Sequence, residues 1–226
     1  MHQKLRQDDP TPTGRSAALT PVQQRQAAAL ALWRLRAPVL AFGWDADWGI
    51  DPALVDSLFR SAISAPDQQS NDRYTQAAAV LSRAPLFTSE VDDPNVRELV
   101  QLETFARLLA FGETLDNPAP NEIEFVVDCP RELARYVDQL VADSYYDHPQ
   151  EAAHRQYLAT PPDSVRGHGL GYLASRNLTV ERLCHDTLRA TAGLLDTTAG
   201  RNLITHCEEF GAELASALKW LRTTGH

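Results

Sequence analysis

Apolar residues recur along most of the chain at helical spacing, in segments that prolines, glycines and short polar runs separate. The stretch from Ala29 to Ile63 is the clearest, because it predicts two apolar helices joined by the loop from Trp44 to Asp51. Thr20-Pro21 and Asp51-Pro52 are favourable helix starts. The side-chain oxygen of the first residue can accept a hydrogen bond from a first-turn N–H, and proline at the first helical position loses no hydrogen bond, because that N–H has no partner within the helix. Pro38 lacks an N–H, which predicts a kink or a restart of the first helix.

The rest of the chain predicts further helices, whose starts and ends are marked by prolines, glycines and capping residues. They run from a cap at Ser70, Asn71 or Asp72 to Ala84, from Asp93-Pro94 to Gly112, from Pro130 through Val141, from Pro149 to Leu158, from a cap at Thr179 through Leu195, and from Leu203 through Leu221. Residues 122–127 alternate as a short strand would, but no partner strand is evident, so we interpret them as an extended loop or a helix edge. The glycine- and proline-containing stretch from Thr160 to Asn177 predicts a long irregular loop of the kind that often carries function.

These patterns predict an all-α fold, a single domain of about seven to nine helices over residues 20–226 with connections marked by proline and glycine. Residues 1–19 are polar and contain Pro10 and Pro12, which favours a mobile N-terminal tail and not a signal peptide. No apolar run approaches membrane-spanning length, so we expect no membrane partner.

Charge and cysteine content narrow the function further. The formal net charge is −9, which argues against nucleic-acid binding, because phosphate contacts need clustered lysines and arginines. The same charge is compatible with a basic protein partner, since complementary fields speed encounter. Cys129, Cys184 and Cys207 are far apart and lack metal-type spacing, which favours buried thiols in a reducing compartment. We therefore expect a cytoplasmic protein.

The loop from Trp44 to Asp51 is the most specific candidate site. Its aspartates begin the spacing of a calcium-binding loop, but Ile50 occupies the position where glycine is needed, which favours a capped, solvated turn. Indoles flanked by carboxylates can instead anchor a basic partner, although at least one indole is expected in the core. The partner-binding candidates are Trp44, Asp45, Asp47, Trp48 and Asp51.

A second set of residues points to metal chemistry. Glu151 and His154 form a Glu-x-x-His step on a predicted helix, as in di-iron carboxylate bundles. Glu181 and His185 place another carboxylate and imidazole one turn apart, a different arrangement that a metal could use. With His148 they resemble the scattered ligand sets of haem-oxygenase-like di-iron oxidases, which would imply iron or manganese. No second Glu-x-x-His exists in the sequence, so exposed helix faces are favoured over a metal site.

His185-Asp186 also resembles the metal-binding pair of the HD phosphohydrolases. That resemblance implies an upstream histidine, for which His154 or His168 is available, and a downstream aspartate at Asp196. The alternative to a binding protein is therefore a metal-dependent all-α oxidase or an HD-type hydrolase.

The segments Ala29–Trp33, Phe42-Gly43-Trp44 and Asp51–Phe59 resemble a pattern in helical bacterial proteins. These are a small uncharacterised all-α family and the helical immunity proteins of polymorphic toxin systems, in which an apolar helix ends near an aromatic-Gly-Trp turn. This chain departs from that pattern in its long N-terminal tail and in the glycine-rich segment near His168. The resemblance implies no catalytic residue and no cofactor, but an acidic helical protein that sequesters a basic partner such as a toxin domain.

Overall fold

A computed structural model describes residues 18–64, 67–88, 93–115, 119–147, 171–190, 195 and 197–223. Its secondary structure within these ranges is helical throughout, without strands, which confirms the all-α prediction. The seven helices are α1 (Pro21–Leu40), α2 (Pro52–Ala62), α3 (Gln68–Leu81), α4 (Val96–Glu113), α5 (Pro120–Asp147), α6 (Tyr172–Ala190) and α7 (Thr198–Thr223). None of these helices combines the length and the apolar character that crossing a bilayer requires.

Helix α1 forms the centre of the molecule. Every residue from Gln26 to Leu35 is buried, and all but Gln26 and Arg34 are apolar. The helix packs against α2, α4, α5, α6 and α7. A helix that is apolar on all sides needs such a position, because it has no face to offer to water. Residues 1–17 of the predicted tail lie outside the described ranges, and Leu19 is buried in the core.

The predicted starts of α1 and α2 are confirmed. The Thr20 hydroxyl accepts a hydrogen bond from the backbone N–H of Gln23, whose side chain accepts one from the Thr20 N–H. The Gln23 amide also donates to the carbonyl of Leu188 at 2.8 Å, which ties the start of α1 to the end of α6. At α2, Oδ1 of Asp51 accepts from the N–H of Ala53 at 2.8 Å. Both caps are local in sequence, which is why the sequence alone predicts them.

Helix α1 does not restart at Pro38 but continues to Leu40. Proline has no N–H to donate to the carbonyl four residues earlier, which is that of Arg34. Helix α7 approaches α1 closely at this carbonyl, since a Cβ on Gly211 would lie 2.8 Å from the Arg34 oxygen. The missing hydrogen bond therefore falls at a close contact between two helices, where packing holds the backbone in helical form.

The predicted starts of α3 and α4 were wrong by a few residues. Asp67 caps α3, with Oδ1 accepting from the N–H of Ser70 at 2.8 Å. Helix α4 is capped by Asn95, whose side chain accepts from the N–H of Glu98 at 3.2 Å. Asp93 instead has a positive φ of 48°, so it belongs to the turn that precedes the helix. In each case several capping residues occur close together, and spacing alone does not choose between them.

Of the two interpretations of residues 122–127, the extended loop was wrong, and the helix edge was correct only in that these residues are helical, in the first turns of a longer helix. They lie inside α5, which runs from Pro120 to Asp147 without a break, so Pro130 is an internal residue and not a helix start. Ile123, Val126 and Val127 are buried at spacings of three and four, so the apparent alternation is one face of a helix.

The irregular loop predicted to reach Asn177 ends earlier, because α6 begins at Tyr172. Thr179 is not a cap, since its hydroxyl lies within the helix and donates to the Ser175 carbonyl at 3.0 Å. The cap comes from α5, where the Asp138 carboxylate accepts from the N–H groups of Leu173 and Ala174 at 3.0 and 2.8 Å. A Cβ on Gly171 would lie 2.3 Å from Cγ of Asp138. The predicted helix from Pro149 to Leu158 lies outside the described residues.

The Asp138 cap predicts a pH dependence of stability. Burial raises the pKa of Asp138 from 3.8 to about 6, although the two backbone hydrogen bonds oppose the shift. The folded chain therefore binds the proton of the Asp138 carboxyl group more tightly than the unfolded chain does. The stability that this protonated carboxyl group contributes is present below about pH 4 and is lost as the pH rises through about 6. The loss amounts to about 3 kcal/mol at most.

Urea unfolding of the wild-type chain and of Asp138→Asn, from about pH 4 to about pH 7, measures this contribution. We expect the variant to be less stable than the wild type near pH 4, where the wild type keeps this contribution, and to lack this part of the pH dependence. Asp143→Asn is the control, because Asp143 is an exposed aspartate on the same helix. Equal pH slopes in the wild type and in Asp138→Asn would contradict the assignment.

Candidate partner-binding site

The candidate site is the loop between α1 and α2, from Trp44 to Asp51. A 3-10 turn, Ala46–Trp48, forms its centre, and Oδ1 of Asp45 caps the turn by accepting from the N–H of Asp47 at 2.9 Å. Gly49 ends the turn with a φ of 63°, a left-handed conformation that glycine adopts without a Cβ penalty. We call this segment the acidic loop.

Two indoles fix the acidic loop to α4. Trp44 and Trp48 both meet the ring of Phe105 edge to face, with ring centroids 5.6 and 6.3 Å apart. Trp48 is buried and Phe105 is fully buried, so Trp48 belongs to the core, as was expected for at least one indole. Trp44 is half-buried, and its exposed part is available to a partner.

A second contact fixes the other end of the loop. Gly49 packs against Pro85, since a Cβ on Gly49 would lie 2.6 Å from Cδ of Pro85. Pro85 begins the 3-10 turn Pro85–Thr88, which also carries Phe87, a phenylalanine that is 39% exposed. The sequence patterns missed Phe105 and Pro85, because their contacts with the loop join segments that are distant along the chain.

The acidic loop carries uncompensated negative charge. Asp45, Asp47 and Asp51 are all exposed, and none of them forms an ion pair within the described part of the chain. The neighbouring Asp56 differs, because it binds Arg36 at 2.6 Å and Arg60 at 2.8 Å. Burial alone would raise the pKa of Asp56, but the two arginines outweigh that effect and lower it. Asp56 is therefore neutralised by guanidinium groups, whereas the described residues provide no such partner for the three loop carboxylates.

The alternative metal site is only partly within the described residues. Glu181 and His185 are both buried in α6, whereas His148, Glu151 and His154 lie outside the described ranges, as do His168 and Asp196. Across the described residues, no three or more histidines, cysteines or carboxylates are grouped in a way that could hold a metal ion.

Glu181 instead takes part in a buried ion pair. Its Oε1 accepts from Nη2 of Arg131 at 2.8 Å, and Nη1 of Arg131 donates to Oδ1 of Asp128 at 2.6 Å. Glu181 is 1% exposed and Arg131 is 8% exposed, so water does little to screen the pair. Among the described residues, Oε2 of Glu181 and Nε of Arg131 find no hydrogen-bond partner. The ion pair joins α5 to α6. The carboxylate of Glu181, which the metal hypothesis assigned as a ligand, therefore has a structural role.

Arg34 is a second buried cation that the sequence patterns did not single out. Its Nη1 donates to Oδ1 of Asn177 at 2.5 Å, which joins α1 to α6, and its side chain is fully buried. The signal was available, because Arg34 interrupts an otherwise apolar run. Its partner was not available, since Asn177 lies 143 positions away along the chain.

What the site can do chemically follows from its own residues. Exposed carboxylates attract cations and accept hydrogen bonds from lysine and arginine, and the aromatic groups beside them supply apolar contact area.

The likeness of residues 29–59 to helical immunity proteins stays an expectation. No protein-family model, curated protein or solved structure matches the chain.

Proposed function

We propose that this chain is a non-catalytic cytosolic binding protein of the immunity-protein kind, which sequesters a basic protein partner such as a toxin domain at the acidic loop. One observation carries the proposal. Asp45, Asp47 and Asp51 are exposed and uncompensated on a loop that is fixed at both ends by packing against Phe105 and Pro85.

A fixed loop favours binding for an energetic reason. A flexible loop loses conformational entropy when a partner orders it, and that cost reduces the affinity. The acidic loop is already ordered by its caps and its aromatic contacts, so its carboxylates keep their positions whether or not a partner is bound. This arrangement suits recognition of a fixed pattern of cationic groups on the partner.

The chemistry of the loop also defines the partner. Its carboxylates match lysine and arginine, and arginine additionally stacks on aromatic rings. Trp44 is half-buried and Phe87 is 39% exposed on the adjacent turn, so apolar area lies close to the charges, as in the energetic centres of protein interfaces. The net charge of −9 adds long-range attraction for a basic surface.

The test removes the loop charges without removing the caps. In Asp45→Asn/Asp47→Asn/Asp51→Asn each asparagine keeps an oxygen for capping. The protein is to be titrated by calorimetry against the purified basic products of the genes adjacent to its own, since immunity proteins are encoded beside their toxins. We expect a stoichiometric complex with one of them, and a Kd that rises at least about tenfold in the triple variant.

The control variant changes the net charge equally at other exposed acids. Asp67→Asn/Asp186→Asn/Glu208→Gln alters three exposed residues on α3, α6 and α7, and it should leave the Kd within about threefold of the wild-type value. An equal loss of affinity in both variants would show that net charge and not the loop is recognised. Absence of any complex, or a triple variant that binds normally, would overturn the proposal.

A further inference from the structure

Two of the three cysteines are in contact in the core. Sγ of Cys184 in α6 lies 4.0 Å from Sγ of Cys207 in α7, and both side chains are buried, at 2% and 0% exposure. Cys129 in α5 is equally buried, and the described structure shows it in no such contact with another thiol. The molecule therefore contains one adjacent thiol pair and one isolated thiol in the same core.

The surroundings of the pair shift the pKa values of its two thiols in opposite directions. The hydrogen bond from Cys207 lowers the pKa of Cys184 against the effect of burial, and the positive charge of Arg34 adds to the lowering. Burial and the neighbouring thiol raise the pKa of Cys207 well above its ordinary value. Burial also raises the pKa of Cys129, to about 12. The contact between the two sulfurs thus favours one thiolate beside one protonated thiol, with Arg34 stabilising the negative charge of either.

We propose that Cys184 and Cys207 form an oxidisable dithiol, which a small hydroperoxide converts into a disulfide between α6 and α7. In the first step the Cys184 thiolate attacks one peroxide oxygen, the O–O bond breaks, and hydroxide leaves to take up the thiol proton as water. The resulting sulfenic acid is then attacked by the Cys207 thiol, the S–S bond forms, and a second water leaves. The two thiols lose two electrons and hydrogen peroxide gains them.

The geometry is compatible with this product. A disulfide needs the sulfurs at about 2.05 Å, so the two atoms must approach by about 2 Å. Rotation about χ1 changes the position of Sγ relative to the backbone and is one means of closing this gap. The burial of both thiols restricts the oxidant to small neutral molecules that enter during local opening of the core. Bulky thiol reagents should therefore react slowly with the folded chain.

Peptide mapping of the intact chain tests the proposal without a substitution. Trypsin places the cysteines in three separate peptides, because cleavage after arginine and lysine gives residues 108–131, 183–189 and 202–219. The folded protein is exposed to hydrogen peroxide, quenched in acid, unfolded with an alkylating reagent and digested without reductant. We expect a cross-link between peptides 183–189 and 202–219, with Cys129 recovered in alkylated form.

Two comparisons make the result specific. In the urea-unfolded chain, oxidation also favours the Cys184–Cys207 disulfide, because these two cysteines are the nearest in sequence. That preference is only a few-fold, since loop-closure entropy grows slowly with loop length. In the folded chain, the ratio of the Cys184–Cys207 cross-link to cross-links with Cys129 should be at least about tenfold higher than in the unfolded chain. The contact between the two sulfurs, and not the loop length, then selects the pair. Cys129→Ser should give the same cross-link, which also raises Tm by closing a loop. Cross-links to Cys129 in comparable amount, or full recovery of alkylated Cys184 and Cys207 after peroxide, would overturn the proposal.

Discussion

Replacing Phe105 with alanine is expected to lower the free energy of unfolding by about 3–5 kcal/mol, the usual cost of deleting a buried aromatic ring. The Phe105 ring is fully buried and is the common partner of Trp44 and Trp48. Its loss leaves both indoles without their edge-to-face contact, so the acidic loop should also become mobile. Urea unfolding followed by circular dichroism measures the stability, and tryptophan fluorescence of the folded variant reports the indoles.

Phe87→Ala is the matched control for this experiment. Phe87 is 39% exposed on the turn beside the loop, so its truncation should cost less than about 1 kcal/mol. If Phe105→Ala costs no more than Phe87→Ala, or if the fluorescence of the indoles is unchanged, the loop is not held by the contacts described. A Phe105→Ala chain that stays folded should also bind a basic partner more weakly, because the carboxylates lose their fixed positions.

Replacing Glu181 with leucine is expected to destabilise the fold by about 3–5 kcal/mol, because it leaves a buried guanidinium without its main partner. Arg131 is 8% exposed, and in the described part of the chain Asp128 is the hydrogen-bonded carboxylate that it would keep. Replacement of both members by Arg131→Met/Glu181→Leu should recover most of the loss, since the uncompensated charge is then gone. A double-mutant cycle measured by urea unfolding gives the coupling energy directly.

An ion pair whose carboxylate is exposed provides the control. Glu132 binds Arg107 at 3.4 Å, but its side chain is 65% exposed, so Glu132→Gln should change stability by less than about 1 kcal/mol. A double variant that is no more stable than Glu181→Leu would contradict the interpretation, as would a single variant close to wild type. Iron or manganese bound in stoichiometric amount and lost in Glu181→Leu would instead favour the metal hypothesis.

Features that depend on neighbouring residues were predictable from the sequence. The caps at Thr20 and Asp51 were placed correctly because each satisfies an N–H within three positions. The last predicted helix, from Leu203 through Leu221, was also correct, since it lies within α7 and both of these leucines are buried. The acidic loop was placed between the correct helices, with one of its indoles in the core, because its boundaries depend on the same local signals.

Features that depend on residues far apart in sequence were not predictable. The start of α6 is fixed by Asp138, whose carboxylate caps N–H groups more than thirty positions away. Nothing near Tyr172 indicates this cap, so Thr179 offered a closer but incorrect candidate. The platform under the acidic loop, Phe105 and Pro85, was missed for the same reason. Local patterns therefore gave the helices, whereas the contacts that position the site required three-dimensional structure.

The central position of α1 has a consequence for synthesis of the chain in the cell. A ribosome makes α1 first among the described helices and α7 last, yet α1 packs against α7 in the finished protein. Until translation has passed residue 223, the helix that is buried along its whole middle lacks part of its covering and exposes apolar surface prone to aggregation. Production of this protein should therefore depend on chaperones that bind emerging chains, more than on the stability of the folded product.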